Sequence, residues 1–200
     1  NNYGPPASDS SDSIIQFDLK TGTINYKYQA TANDAFSLFG GGPDYDFGAN
    51  PVLYEIPVDG EMTKLAAAGD KGGVAHAIRR DNPGTELWTR MLGTGTADGS
   101  RGIFTNSTWT GKYMLFALNE GGPATLFALD GATGDIAWMR KLEGQVWGRT
   151  AVANGVGFAQ ASTRMQLAHA SHGAHSAPAA PASASAEECH PGMTMASHAG

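Results

Sequence analysis

Charge is scarce in this 200-residue sequence, and cysteine is scarcer. Only 16% of the residues are charged, and the single cysteine, Cys189, cannot close an internal disulfide. Thirteen Lys and Arg stand against nineteen Asp and Glu, a formal charge of -6, with no basic cluster. That argues against nucleic acid as a partner, because nothing is gathered to neutralise phosphates. No apolar run approaches the roughly 20 residues of a membrane-spanning helix, and no signal peptide opens the chain. Neither a Ser/His/Asp order nor a phosphate-cradling Gly-Lys-Ser loop is present, so hydrolase and nucleotide-binding readings lack support. The chain opens at Asn1 rather than Met and reads as a mature fragment or a partial reading frame.

What the sequence has in quantity is glycine, 27 residues, set among short apolar runs with single aromatics. This balance suits an all-β protein with many tight turns. Three segments share one pattern: an apolar strand, a polar residue, a glycine turn, then an aromatic four residues on. They are Ile15–Tyr26, Ala77–Trp88 and, most clearly, Leu126–Trp138. Leu167–Gly173 reads as a decayed fourth. The turn glycines fall at 22, 84, 134 and 173, a spacing near that of a four-stranded blade. Each turn requires positive φ, which glycine accepts without steric penalty, and each aromatic is expected to pack between neighbouring blades. The fold expected is therefore all-β: a partial β-propeller of about three to four blades over residues 1–167. Arg79-Arg80 interrupts the acidic turn entry of the second unit.

From Ala168 to Gly200 the composition turns to Ala, Ser, Pro, His and Gly, a low-complexity tail expected to be disordered. His169, His172, His175, His190 and His198, with Cys189, Met193 and Met195, are soft-metal ligand types. Their spacing matches no closed site, and a frame error would produce the same change of composition.

Charge near the strands concentrates in two loops, Asp44-Tyr45-Asp46-Phe47-Gly48 and Asp70-Lys71-Gly72-Gly73. Strand ends are where a β scaffold presents its chemistry. Taken alone, Asp46 also fits a turn cap before Phe47, Asp44 a solvated turn acid and Lys71 a hairpin tip. His76 alternates with Val74 and Ile78 on one strand face and reads as a satisfied core histidine. Asn106, in Arg101–Trp109, and Trp147, after Gln145-Val146, sit where a strand end either lines a site or packs a blade.

With these residues in view the chain resembles the quinoprotein alcohol dehydrogenases, which depend on pyrroloquinoline quinone (PQQ), in their polyvinyl alcohol dehydrogenase-like branch. The resemblance rests on the Ala128–Trp138 unit, on Asn1-Asn2-Tyr3 followed by Ser10–Asp18, on Asp46–Leu53 and on Gly69–Val74. It covers roughly Asn1 to Gln160 and implies the second half of an eight-bladed propeller. It further implies oxidation of a small-molecule or polymeric alcohol, with Asp46 as general base and PQQ and Ca²⁺ as cofactors. Lys71 would hydrogen-bond the quinone oxygens, and Asn106 and Trp147 would be candidate cofactor contacts. Asn1, with Asn2 one step away, and Asp46 would be metal ligands. Gly48 stands where lanthanide-using relatives carry a further acid, which favours calcium. A cytochrome c-type electron acceptor and a periplasmic or secreted location are implied as well. The family's metal-binding glutamate, its tryptophan floor and its adjacent cysteines would lie before Asn1. The rival expectation is a non-catalytic propeller serving as a binding or assembly scaffold.

Overall fold

Every regular element among the described residues of the computed structural model (5–36, 42–82, 84–95 and 101–162) is a β-strand. These residues all belong to one unit, Asn1–Met165. Strands β1 (Ser13–Phe17) and β2 (Ile24–Gln29) form an antiparallel hairpin. Strands β3 (Val52–Val58), β4 (Glu61–Gly69), β5 (Val74–Arg79) and β6 (Glu86–Met91) form a four-stranded antiparallel sheet in chain order. The next sheet repeats that order. Short strands β7 (Arg101–Gly102) and β8 (Thr108–Trp109) both pair with β9 (Tyr113–Glu120), followed by β10 (Thr125–Asp130) and β11 (Ile136–Lys141). Strands β12 (Gln145–Val146) and β15 (Ala161–Ser162) then enclose the small hairpin of β13 (Ala151–Ala153) and β14 (Val156–Phe158). Sheets met in this sequence are propeller blades, the first represented by its hairpin β1–β2. The expected Leu167–Gly173 unit and the tail 168–200 lie outside the described residues.

The repeat seen in the sequence is a repeat of local geometry. In all three hairpins the ladder slips once before the turn, at Gln16/Phe17, Ala77/Ile78 and Ala128/Leu129. The first and third turns match bond for bond. Asp18 Oδ1 accepts from the N–H of Lys20 and Thr21, and Asp130 Oδ1 from that of Ala132 and Thr133. Gly22 and Gly134 both sit at φ +72°. The second turn has Arg79 in the acid's place and is one residue longer, so its closure rests on backbone bonds such as Arg79 N–H to Thr85 O.

Strand alternation explains how blades stack. On β4, Leu65 and Ala67 join Ala75, Ala77 and Trp88 in a core shared with Ile103, Phe116, Leu118 and Leu129 of the third blade. Their neighbours Ala66 and Ala68 face the other way and, with Ile78 of the same sheet, pack against Ile14 and Tyr26 of the first. A strand with both faces covered reads as a continuous apolar run, which is the Leu65–Ala68 stretch. Small residues let the sheets approach closely: a Cβ on Gly69 would stand 2.5 Å from Ile103 Cγ2.

The predicted aromatics form the joints. Tyr26 lies against Gly84, where a Cβ would come within 3.2 Å of its ring. Trp88, 6% exposed, covers Gly134 and donates its indole N–H to Gly131 O at 3.0 Å. Tyr54 Oη donates to the same carbonyl at 2.9 Å, and Arg90 Nε to Gly134 O at 2.8 Å. Trp138 departs from the expectation. It is 43% exposed and seats no turn among the described residues.

The joint is measurable. Gly22 and Gly134 share a backbone conformation, but a Cβ at Gly22 meets nothing within 4 Å and one at Gly134 falls 2.7 Å from Trp88 Cδ2. Gly22→Ala should therefore cost only the positive-φ strain, about 1 kcal/mol. Gly134→Ala should cost clearly more, and Trp88→Ala about 3–5 kcal/mol, in urea unfolding of the three variants. Equal losses at the two glycines would refute the docking account.

Candidate functional site

Two loops meet at one end of the second blade. The Asp70–Gly73 turn is locked by its own backbone: Gly73 N–H donates to Asp70 O, Ile103 N–H to Asp70 O and Gly95 N–H to Gly72 O. Side chains at Gly95 or Gly102 would run into the Lys71 carbonyl, so only glycine lets these strands close around the turn. The second loop, Asp44–Asn50, has no regular structure and is pinned at several points. Asp34 Oδ2 accepts from Tyr45 N–H at 2.8 Å. Phe47 packs edge-on to the His76 ring, 5.5 Å between centroids, and Lys71 N–H donates to Asp46 O.

This pinning brings three charges together. Lys71 Nζ stands 3.2 Å from both carboxylate oxygens of Asp44 and 3.1 Å from Asp46 Oδ2. Asp44, expected as a solvated turn acid, is only 6% exposed. Burial, reinforced by the neighbouring Asp46, pushes its carboxyl up to about 6. Burial would raise Asp46 too, but its hydrogen bond to Asp44 and the Lys71 ammonium outweigh that and hold it below the ordinary value. Lys71 is raised: burial opposes its charge, but Asp46 and then Asp44 outweigh burial. At neutral pH the group is thus an ionised Asp46 beside a firmly protonated lysine, with Asp44 the first to take a proton.

More acid lies behind it. Asp12 and Asp34 are buried, and both oxygens of Asp12 and Oδ1 of Asp34 meet no hydrogen-bond donor among the described residues. Burial raises Asp12, and the charges of Asp34 and Asp46 add to that. His76 is satisfied as expected, with Nε2 2.8 Å from Asp70 Oδ2 and Nδ1 3.0 Å from Tyr28 Oη. Tyr28 in turn donates to Glu86.

The remaining candidates gather around the same loops. Asn106 Oδ1 accepts from Asn50 N–H at 3.0 Å, tying its loop to the one that carries Asp46. Trp147 is 54% exposed and stacks on Phe104, with centroids 5.4 Å apart and planes at 16°. It is held there because buried Asn119 brackets Val146 through its N–H and C=O. Phe104 in its turn lies beside Gly48. Asn1 lies outside the described residues. Sequence reasoning gave no role to Asp12, Asp34 or Phe104. The only available signal was two acids, Asp44 and Asp46, spaced to share one side of an extended segment.

Comparison with known proteins agrees on the kind of chain this is. A family model described as outer membrane protein assembly factor BamB matches residues 70–174. A polyvinylalcohol dehydrogenase of Sphingopyxis sp. (strain 113P3) is 31% identical over 159 residues, 69% of this chain and 23% of that protein. One from Pseudomonas sp. is 26% identical over 105 residues, 48% of this chain and 16% of that protein. The chain therefore spans less than a quarter of either relative. Among solved structures, a europium-containing methanol dehydrogenase superposes with a TM-score of 0.52 at 14% identity, over 72% of this chain and 35% of that one. At that identity the likeness is one of fold. Taken with the blade repeat and the turn joints, these matches show that the chain belongs to the PQQ-dependent dehydrogenase family.

Proposed function

We propose that this chain carries part of the catalytic end of a PQQ-dependent alcohol dehydrogenase acting on a small or polymeric alcohol, polyvinyl alcohol being one candidate. The observation that carries the reading is the convergence of Asp46 and Lys71, 3.1 Å apart, at one end of the sheets. Asp46 is the general base that takes the hydroxyl proton. The hydrogen bond to Asp44 and the adjacent ammonium keep it ionised at neutral pH, the form that can accept a proton. Lys71 presents its remaining N–H to quinone or carboxylate oxygens and stabilises negative charge that develops there. Asn106 and the Phe104–Trp147 stack form a wall beside the two loops.

The donor types fit the cofactors, though among the described residues no three His, Cys, Asp or Glu side chains are gathered closely enough to hold a metal ion by themselves. Asp12, Asp34, Asp44 and Asp46 share this region with the Lys71 ammonium, and three buried oxygens of Asp12 and Asp34 meet no hydrogen-bond donor among the described residues. A buried surplus of hard oxygen ligands suits Ca²⁺. Asp46 would hold it, with the Asn1 side-chain amide. When bound, the quinone accepts the hydride and calcium polarises it as a Lewis acid. Electrons would pass to a cytochrome c-type acceptor in the periplasm or outside the cell. The scaffold reading, which the description of the matching family model favours, predicts indifference to changes at Asp46 and Lys71.

In an intact enzyme carrying this segment, Asp46→Asn should lower kcat by roughly 10²–10⁴-fold while PQQ still binds. Lys71→Met should weaken PQQ binding by roughly 10–100-fold, the value of a charge-assisted hydrogen bond, followed by absorbance titration with Ca²⁺ present. Unchanged turnover in both variants would leave the scaffold reading standing.

Asp44 gives a test that needs no cofactor. Its folded value near 6 lies above the ordinary carboxylate range, so the folded chain binds the proton more tightly. The stability it contributes is fully present below about pH 4 and is lost as pH rises through about 6. The difference in urea midpoint between the chain and Asp44→Asn should therefore change across that window and be flat above pH 7.

A further inference from the structure

One buried ring touches both loops of the candidate site. His76, on β5 and 5% exposed, sets Nε2 against Asp70 Oδ2 at 2.8 Å, and Asp70 is itself 3% exposed. The other oxygen of that carboxylate accepts from Val74 N–H at 2.9 Å. The Asp70 N–H donates to Val74 O, while its carbonyl accepts from Gly73 and Ile103. Asp70 thus closes the turn on which Lys71 is the next residue. Phe47 meets the same imidazole edge-on, with planes at 70°, and Phe47 directly follows Asp46. The residue before the lysine and the residue after the carboxylate therefore rest on one side chain.

The hydrogens of this cluster can be counted. Asp70, His76, Tyr28 and Glu86 form a chain of three contacts: Asp70 Oδ2 to Nε2 at 2.8 Å, Nδ1 to Tyr28 Oη at 3.0 Å, and Oη to Glu86 Oε2 at 2.7 Å. Each contact needs one hydrogen. A phenol and a neutral imidazole supply two, and carboxylates supply none. Burial first, then the hydrogen bond and charge of Glu86, push the Tyr28 hydroxyl above its ordinary value, so the phenol keeps its hydrogen. That hydrogen goes to Glu86. Tyr28 Oη is left to accept from one ring nitrogen, and Asp70 accepts from the other. Ala68 and Thr89, the partners of His76 across the sheet, and Phe47 from the loop add no titratable group. We infer that His76 is a positioning residue for Asp46 and Lys71, carrying hydrogen on both ring nitrogens so that it grips Asp70 and Tyr28 at once. An imidazolium there also offsets the charge that burial would otherwise leave alone on Asp70. The consequence for turnover rests on the proposed dehydrogenase reading, whereas the hydrogen count and the clamp do not.

Amide hydrogen exchange followed by NMR tests the clamp. Lys71 N–H, bonded to Asp46 O, joins the two loops, and Gly134 N–H, bonded to Asp130 O, is the reference in another hairpin. His76→Leu strands the buried Asp70 carboxylate and should speed exchange at Lys71 by roughly tenfold or more, with Gly134 little changed. His76→Gln, whose amide N–H can still reach Asp70, should recover part of the protection and serves alone if His76→Leu does not fold. Nitrogen-15 spectra of the unsubstituted chain at neutral pH should show hydrogen on both ring nitrogens of His76. In Tyr28→Phe, Nδ1 should lose its hydrogen with its acceptor. In an intact enzyme carrying this segment, His76→Leu should lower kcat by roughly 10–100-fold with KM unchanged, the mark of misplaced reacting groups. Unchanged protection at Lys71, equal acceleration at Lys71 and Gly134, or a bare Nδ1 in the unsubstituted chain would overturn the proposal. Were Asp46→Asn to spare turnover, the dehydrogenase reading would fail, and faster exchange confined to Lys71 would still support the clamp.

Discussion

An aromatic ring laid over the glycine turn of the next repeat is the contact on which this architecture depends. Strand pairing holds each blade together, but it says nothing about where the next blade sits. Trp88 supplies that information. Its ring needs the bare backbone of Gly134, and its N–H meets Tyr54 Oη on the single carbonyl of Gly131. Because that carbonyl accepts two buried donors, displacing the turn would strand both. The joint therefore fixes distance and angle together, and the shared core of Leu65, Phe116 and Leu129 fills in behind it.

Fixed blades allow loops to be exact where they have no regular structure. The Asp44–Asn50 loop contributes no strand pairing, yet Asp46 is held through neighbours on three separate segments: Asp34, His76 and Lys71. Burying three charges costs desolvation of each, which only mutual pairing offsets. The glycines at 95 and 102 matter here, because any Cβ at either would push away the backbone that aims the lysine. Site and scaffold thus share one constraint, close backbone approach.

The repeat was legible because its signals are local. An Asp, a Thr-Gly and an aromatic four residues on each have a physical role within one hairpin, so Ala128–Trp138 could be read without any partner. The pairing of Asp46 with Lys71 was legible as two charged loops at strand ends, though its geometry was not. Asp44 was misjudged for a physical reason: an acid between Pro43 and Tyr45 looks solvated unless one knows that Lys71, 27 residues on, closes over it. Asp12 and Asp34 escaped notice in the same way, as solitary acids whose burial is wholly a matter of tertiary structure. Trp138 shows the opposite error. Its local sequence matches Trp88 and predicts burial, but burial needs a turn from elsewhere, and the pattern within one repeat does not carry that information.

The excess of acid around Lys71 bears on what the region is for. A chain selected for stability alone would not keep Asp12 and Asp34 buried with so few donors among the described residues, since apolar replacements of similar size would remove the desolvation cost. Burial and mutual repulsion already raise Asp12, which means that its charge opposes folding. Local violations of this kind concentrate where a protein does its work. A bound cation would convert the same oxygens from unsatisfied groups into ligands and would relieve the repulsion on Asp46 as well. On the proposed reading, the cost of burying Asp12 beside Asp34 and Asp46 would be met only when a cation is bound.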